Sequence, residues 1–140
     1  MCRYGIFILV ILQIDEKEGV MEVLTVLEIE RLVFQIGPSL GCGDHTYDPI
    51  FPEGRNDVAA IRRMAENGRD YGFDTIYLIW KNSDGQIRYR EIKNSRTTKD
   101  YILINSIVID KEGFVIVNLG SGGSYSGEVW NESARISIGQ

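Results

Sequence analysis

The sequence predicts an α+β domain: a mostly antiparallel sheet of about five strands with two helices packed on it. Two consecutive β-hairpins are the main evidence, one over Asp74–Lys93 that turns at Asp84-Gly85, the other over Ile102–Leu119 that turns at Lys111-Glu112-Gly113. Asp-Gly favours a tight hairpin turn because both positions tolerate positive φ. A glycine-rich tail, Gly120–Gly127, then allows the chain to bend before a last strand.

Composition places the chain among ordinary globular proteins of a single domain, residues 1–140. The 140 residues are 44% hydrophobic, which argues against disorder. A net charge of −5 argues against a generic nucleic-acid binder, although residues 54–99 carry 10 basic against 6 acidic side chains. Two cysteines are too few for a disulfide scaffold and are typical of a reducing cytoplasm. Abundant isoleucine points weakly to a thermophilic source.

The first twenty residues have two interpretations. Ile6–Leu12 is a seven-residue apolar run, far shorter than the roughly 20 residues that cross a bilayer, and no small-residue cleavage site follows it. We therefore expect a buried strand over Tyr4–Ile14 and no membrane association. The alternative is that Met21 is the true start and that residues 1–20 are an N-terminal extension.

Two segments predict helices. Thr25-Val-Leu-Glu28 matches a capping box, in which the threonine hydroxyl and the glutamate carboxylate each accept from the other residue's backbone N–H. A helix from about Val26 to Ile36 follows, with an apolar stripe of Ile29, Leu32, Val33 and Ile36. Asn56 or Asp57 is expected to cap a second helix that runs to about Asp70.

The strand pattern predicts how side chains divide between faces. A two-residue turn at Asp84-Gly85 sets Trp80 opposite Tyr89, with Lys81, Arg88 and Arg90 on the other face. The second hairpin is apolar on both sides, which predicts strands covered on both faces. Ala134, Ile136 and Ile138 alternate with polar residues and predict a final edge strand.

The loop over residues 37–55 contains all three prolines and the only histidine of the chain. It brings together Cys42, Asp44, His45 and Asp48 as candidate catalytic groups. A cysteine nucleophile needs an imidazole and an orienting acid, and Asp44, His45 and Asp48 could instead hold a catalytic metal together with Asp57. The alternative is a polar surface loop whose aspartates and glycines form turns.

A second candidate catalytic group is Glu91-Ile-Lys93 at a strand end. This tripeptide resembles the E-x-K half of the PD-(D/E)XK nuclease family, and the resemblance implies that Glu91 holds a divalent metal while Lys93 positions water and phosphate. The predicted register sets Leu78 opposite Glu91, and Asp74 lies roughly 13 Å farther along the strand. Asp74 is therefore better placed to pair with Lys93, as in an ion-paired strand end.

Two further sets of residues suggest binding. Backbone amides near Gly120, Gly122, Gly123 and Tyr125 could form a nest for an anion, or the segment could be a simple turn. The spacing departs from G-x-G-x-x-G and no helix follows, so a dinucleotide site is not indicated. A basic hairpin face could meet phosphate or RNA, and it consists of Lys81, Arg88, Arg90, Arg96 and Lys99 with Tyr77.

The sequence leaves two functions open, and it assigns no cofactor and no metal. The first is a binding module of unassigned ligand or partner, with residues 37–55 and Gly120–Gly127 as its expected surface and with a homodimer through an exposed strand edge. The rival is a metal-dependent hydrolase or nuclease built from the acidic residues and His45. An enzyme requires these polar groups to converge in one pocket, whereas a binding module requires a groove or an exposed edge.

Overall fold

The computed structural model describes residues 23–36, 45–66, 72–95, 101–121 and 129–139. These residues form one helix and seven strands in two antiparallel sheets. Sheet A has the order β1-β2-β3-β4 and sheet B the order β5-β6-β7. The elements are α1 (Val26–Ile36), β1 (His45–Thr46), β2 (Val58–Glu66), β3 (Gly72–Lys81), β4 (Ile87–Asn94), β5 (Ile102–Ile109), β6 (Val115–Ser121) and β7 (Asn131–Ile136). The prediction of a mostly antiparallel α+β fold is confirmed. Instead of one sheet of about five strands, however, the described strands form two sheets. The strand expected over Tyr4–Ile14 lies outside the described residues.

Sheet A is the middle layer of three. Val58 and Leu78 on one of its faces join a buried cluster with sheet B, and Ala59 and Ile79 on the other face join a cluster with Ile29 and its neighbours on α1. Because both faces of sheet A are covered, its central strands β2 and β3 are apolar on both sides.

Helix α1 begins and ends as the sequence predicts. The Glu28 N–H donates to Thr25 Oγ1 at 3.1 Å, and the Thr25 N–H donates to Glu28 Oε1 at 2.9 Å, so the capping box forms in both directions. Ile29 and Val33 of the predicted stripe are fully buried, while Leu32 and Ile36 are half-buried. At the other end of α1, Arg63 Nη1 donates to the Val33 carbonyl at 3.2 Å and satisfies one of the last helical acceptors.

The second predicted helix is wrong, because Val58–Glu66 is strand β2. Alanine, arginine, methionine and glutamate favour a helix locally, but the chain lies between β1 and β3 and pairs with both. Val58, Ala59, Ala60 and Ile61 have no exposed surface, because alternate residues face sheet B and α1. Because side chains of a strand alternate between its two faces, a strand can bury these residues against sheet B and against α1 at once. The free energy gained by this burial outweighs the helix propensity of the segment.

The first hairpin uses a three-residue loop rather than the predicted two-residue loop. The Asn82 N–H donates to the Gln86 carbonyl at 2.9 Å, and Gly85 takes a φ of 84°. Trp80 consequently lies opposite Arg88 and not opposite Tyr89. Since a shift of one residue exchanges the two faces, Arg88 and Arg90 share the face of Trp80, and Lys81 lies on the opposite face.

The second hairpin turns where predicted, through a loop of the same kind with Gly113 at a φ of 88°. Among the described residues its strands are covered on one face only, which differs from the prediction of cover on both faces. The register shifts between Ile104 and Ser106, so Ile102 and Ile107 both join the core shared with sheet A. Leu103 and Val108 are left exposed on the outer face. The predicted last strand is confirmed as β7, at the edge of sheet B.

A buried carboxylate joins the two sheets. Asp74 of β3 has no exposed surface; its Oδ2 accepts from the Ile102 N–H at 2.7 Å and lies 3.1 Å from Arg62 Nη2. The Asp74 N–H donates to Ser95 Oγ at 2.7 Å. The carboxylate therefore fastens the start of β5 to sheet A, and the expected pairing of Asp74 with Lys93 is wrong.

Candidate functional site

The histidine loop is described in part. Cys42 and Asp44 lie outside the described residues. The backbone of His45 belongs to β1 and pairs with Met64 of β2. Asp48 is exposed. Asp57, the additional carboxylate, forms two hydrogen bonds with the Arg55 guanidinium, at 2.8 and 2.9 Å, and this contact raises the pKa of Arg55. Within the described ranges, no group of three or more histidine, cysteine, aspartate or glutamate side chains could hold a metal ion. Catalysis by the loop stays a prediction.

The Glu91-Ile-Lys93 segment lies at the end of β4, where a bulge separates its two polar residues. Glu91 is opposite Tyr77 and Lys93 is opposite Ile76, so their side chains leave the sheet on different faces. Glu91 accepts from Asn94 Nδ2 at 2.7 Å, whereas Lys93 Nζ donates to both carboxylate oxygens of Glu132 at 2.8 Å. Tyr77, and not the predicted Leu78, faces Glu91. The described structure does not bring Glu91, Lys93 and Asp74 together.

Only Gly120 of the predicted glycine-tail site is described, since Gly122, Gly123 and Tyr125 lie outside the described residues. Gly120 is a buried residue of β6, and a Cβ placed on it would stand 2.7 Å from Asn105 Nδ2 and 3.1 Å from Asn131 Oδ1. Because glycine has no side chain, Gly120 leaves room for the side-chain amides of Asn105 and Asn131 on the outer face of sheet B.

The predicted basic hairpin face is divided between two surfaces. Lys81 Nζ donates to Glu28 Oε2 at 3.0 Å and to the Val23 carbonyl at 3.0 Å, on the helix side of sheet A. Arg88 and Arg90 project from the opposite face and are exposed, and Arg96 and Lys99 lie outside the described residues. A single cationic platform is thus not formed by Lys81 with the two arginines.

A different feature, the outer edge of β4, offers a binding surface that the sequence did not predict. Among the described residues, β4 has a hydrogen-bonded neighbour, β3, on one side only. Asn82 and Gln86 form a hydrogen-bonded pair, and such pairs alternate with non-hydrogen-bonded ones along an antiparallel ladder. The backbone N–H and C=O groups of Ile87, Tyr89 and Glu91 therefore point away from β3. This row is a ready template for another strand.

A groove lies beside this edge, between α1 and β4. It has a volume of about 270 Å³ and is lined by Glu28, Arg31, Leu32, Gln35 and Ile87. The side chain of Tyr89 continues the same face of β4; it is 47% exposed and meets the Tyr77 ring edge-on, with 6.3 Å between ring centroids. Among the described residues, helix α1 covers β2 and β3 but leaves Ile87 only half-buried, so apolar surface is open next to the outer edge of β4.

The charge of this surface comes mainly from arginine. Burial raises the pKa of Glu28, but hydrogen bonds from the Thr25 N–H and from Lys81 outweigh it and hold the pKa below its ordinary value. Glu28 is therefore ionised and already neutralised by Lys81. Within the described part of the chain, Arg31, Arg88 and Arg90 form no ion pair. The edge is therefore locally cationic on a protein whose net charge is −5.

Sequence reasoning missed this site because its two walls are 52 residues apart or more, from Gln35 on α1 to Ile87 on β4. A local signal did exist: in Ile87-Arg-Tyr-Arg-Glu91 the arginines alternate with the other side chains, as on a solvent-facing edge strand.

Comparison of the chain with models of protein families, with curated proteins and with solved structures found no match in any of the three. The described helix is also too short to cross a membrane. The functional argument therefore depends on the geometry of the chain itself.

Proposed function

We propose that this protein is a partner-binding module that takes up an extended segment of another polypeptide along β4, as an added strand of sheet A. The single observation that carries the proposal is the outward row of backbone groups at Ile87, Tyr89 and Glu91 beside an open groove. In strand addition, main-chain hydrogen bonds supply affinity, and pockets for alternate side chains supply specificity. The β4 edge offers both of these elements.

The dimensions of the edge support a short linear ligand. Strand β4 has eight residues, Ile87–Asn94, which at strand rise is about 27 Å. Side chains of an added strand alternate in direction, so every second one would face the groove next to Leu32 and Ile87. A segment of about eight residues would match this length, and one of about seven would cover most of it.

The test uses a backbone change at the middle of the edge. Proline at position 89 removes an N–H that points away from β3, and edge strands tolerate proline at such positions. Tyr89→Thr is the matched control, because it also removes the ring but keeps the N–H. The probe is a fluorescein-labelled heptapeptide in which threonine alternates with valine and isoleucine, followed by fluorescence anisotropy.

We expect the peptide to bind wild type and Tyr89→Thr, and Tyr89→Pro to lose about tenfold or more in affinity, because one backbone hydrogen bond is lost and a peptide carbonyl is left unpaired. Hydrogen exchange should show protection of the Ile87, Tyr89 and Glu91 amides on binding. Equal affinity of the two variants, or protection elsewhere only, would rule out strand addition at β4.

A further inference from the structure

We infer that the segment bound along β4 alternates acidic and apolar side chains, with the acidic ones facing Arg88 and Arg90. This inference rests on the strand-binding function proposed above and specifies its ligand. It follows from the difference between the two faces of β4, since residues directly opposite one another in an antiparallel pair project to the same face.

The first face presents two cations that form no ion pair with any of the described residues. Arg88 and Arg90 are exposed and lie on the face of Trp80 and Leu78. Apart from a hydrogen bond from Arg88 Nη2 to Gln86 Oε1 at 3.3 Å, the described residues offer these guanidinium groups no polar partner. On the outer ladder these two positions would be non-hydrogen-bonded pairs, in which Cα atoms lie only about 4.5 Å apart and side chains come closest. Carboxylates opposite them would complete two cross-strand ion pairs.

The second face is apolar where the added strand would touch it. Ligand side chains opposite Ile87 and Tyr89 would project towards α1, into the groove that Leu32 lines. Glu28, the acidic residue of this groove, is occupied by Lys81, and Arg31 stands at the rim. A valine, isoleucine or leucine therefore fits this row, and burying it removes apolar surface from water.

A second copy of this chain is a poor occupant of the same edge. Two β4 strands in antiparallel pairing would place Arg88 and Arg90 of both copies on one face, so that four guanidinium groups would meet across a single strand pair. Like charges directly opposite are destabilising in a sheet. The charge of the edge thus favours an acidic segment of a different protein over a homodimer.

The experiment compares three labelled heptapeptides that share valine and isoleucine at alternate positions and carry glutamate, threonine or lysine between them. Nonspecific attraction to a protein of charge −5 would favour the lysine peptide, so a preference for glutamate reports the local edge. Each exposed ion pair should contribute about two- to fivefold in affinity at low salt. We expect the order glutamate, threonine, lysine, and a weaker preference in 0.5 M salt.

The variant Arg90→Glu should reduce affinity for the glutamate peptide and raise it for the lysine peptide. Lys111→Glu is the matched control: it makes the same change in net charge in the exposed turn of sheet B and should leave the preference unchanged. Equal effects of the two variants would show that only net charge matters and would overturn the inference.

The outcomes separate the inference from the function on which it rests. Binding of all three peptides with equal affinity, abolished in Tyr89→Pro, would retain strand addition and reject acidic selection. Absence of binding by any peptide would reject both. A concentration-dependent dimer in sedimentation equilibrium that Tyr89→Pro abolishes would make a second copy the occupant and would overturn the inference.

Discussion

Replacement of Asp74 by asparagine tests how much the buried ion pair between Asp74 and Arg62, within sheet A, contributes to stability. The change keeps the size of the side chain and an oxygen that accepts from the Ile102 N–H, and it removes the charge next to Arg62. Asp74 has no exposed surface, whereas the Arg62 side chain is 14% exposed and stacks on the Tyr47 ring at 4.1 Å. After the substitution, the Arg62 guanidinium would lose the Asp74 charge but would keep partial stabilisation from solvent and from the Tyr47 ring.

Breaking one side of a fully buried ion pair costs about 3–5 kcal/mol, and the partial exposure of Arg62 places this change at or just below the lower end, about 2–3 kcal/mol. That loss is a large fraction of the 5–15 kcal/mol by which a domain is usually stable. Arg62→Met should cost more, about 3–5 kcal/mol, because it removes the guanidinium from beside a carboxylate that has no exposed surface.

Urea denaturation followed by tryptophan fluorescence measures these free energies of unfolding. The double variant should be more stable than the sum of the two single changes by about 1–3 kcal/mol, since the pair is removed as a unit. Asp48→Asn is the matched control, because Asp48 is exposed and should change stability by less than about 0.5 kcal/mol. A cost below about 1 kcal/mol for Asp74→Asn, or simple additivity with Arg62→Met, would refute the reasoning.

Two further predictions concern local features. Glu28 has a lowered pKa in the folded state, so the stabilisation that its carboxylate provides is present above the pKa of the unfolded chain and disappears as pH falls through the folded value. Thermal unfolding of Glu28→Gln should therefore differ from wild type at pH 7, and the difference should shrink as acid protonates the carboxylate; a difference that stays constant with pH would contradict this. Gly85→Ala and Gly113→Ala, at φ of 84° and 88°, should each cost about 1–2 kcal/mol in denaturant unfolding. Gly139→Ala, at a position with open space, should be neutral, and equal effects at all three glycines would refute the argument from φ.

The helix and the turns could be predicted from the sequence because local interactions form them. The capping box of α1 involves residues three apart, and its apolar stripe needs only a helical period, so α1 spans Val26–Ile36 as predicted. Both hairpins turn at the predicted glycines for the same reason, since positive φ at Gly85 and Gly113 is a property of single residues.

Only the tertiary structure decided the state of β2, the register of the first hairpin and the position of the candidate site. Residues 58–66 have helical propensity, but pairing with β3 and burial on both faces make them a strand. Asp84-Gly85 fits a two-residue or a three-residue loop, and the choice sends Arg88 and Arg90 to one face or the other. The groove exists only because α1 covers β2 and β3 and stops short of β4. This arrangement joins segments that are distant in the chain, and it is stabilised by their packing rather than by any local sequence pattern.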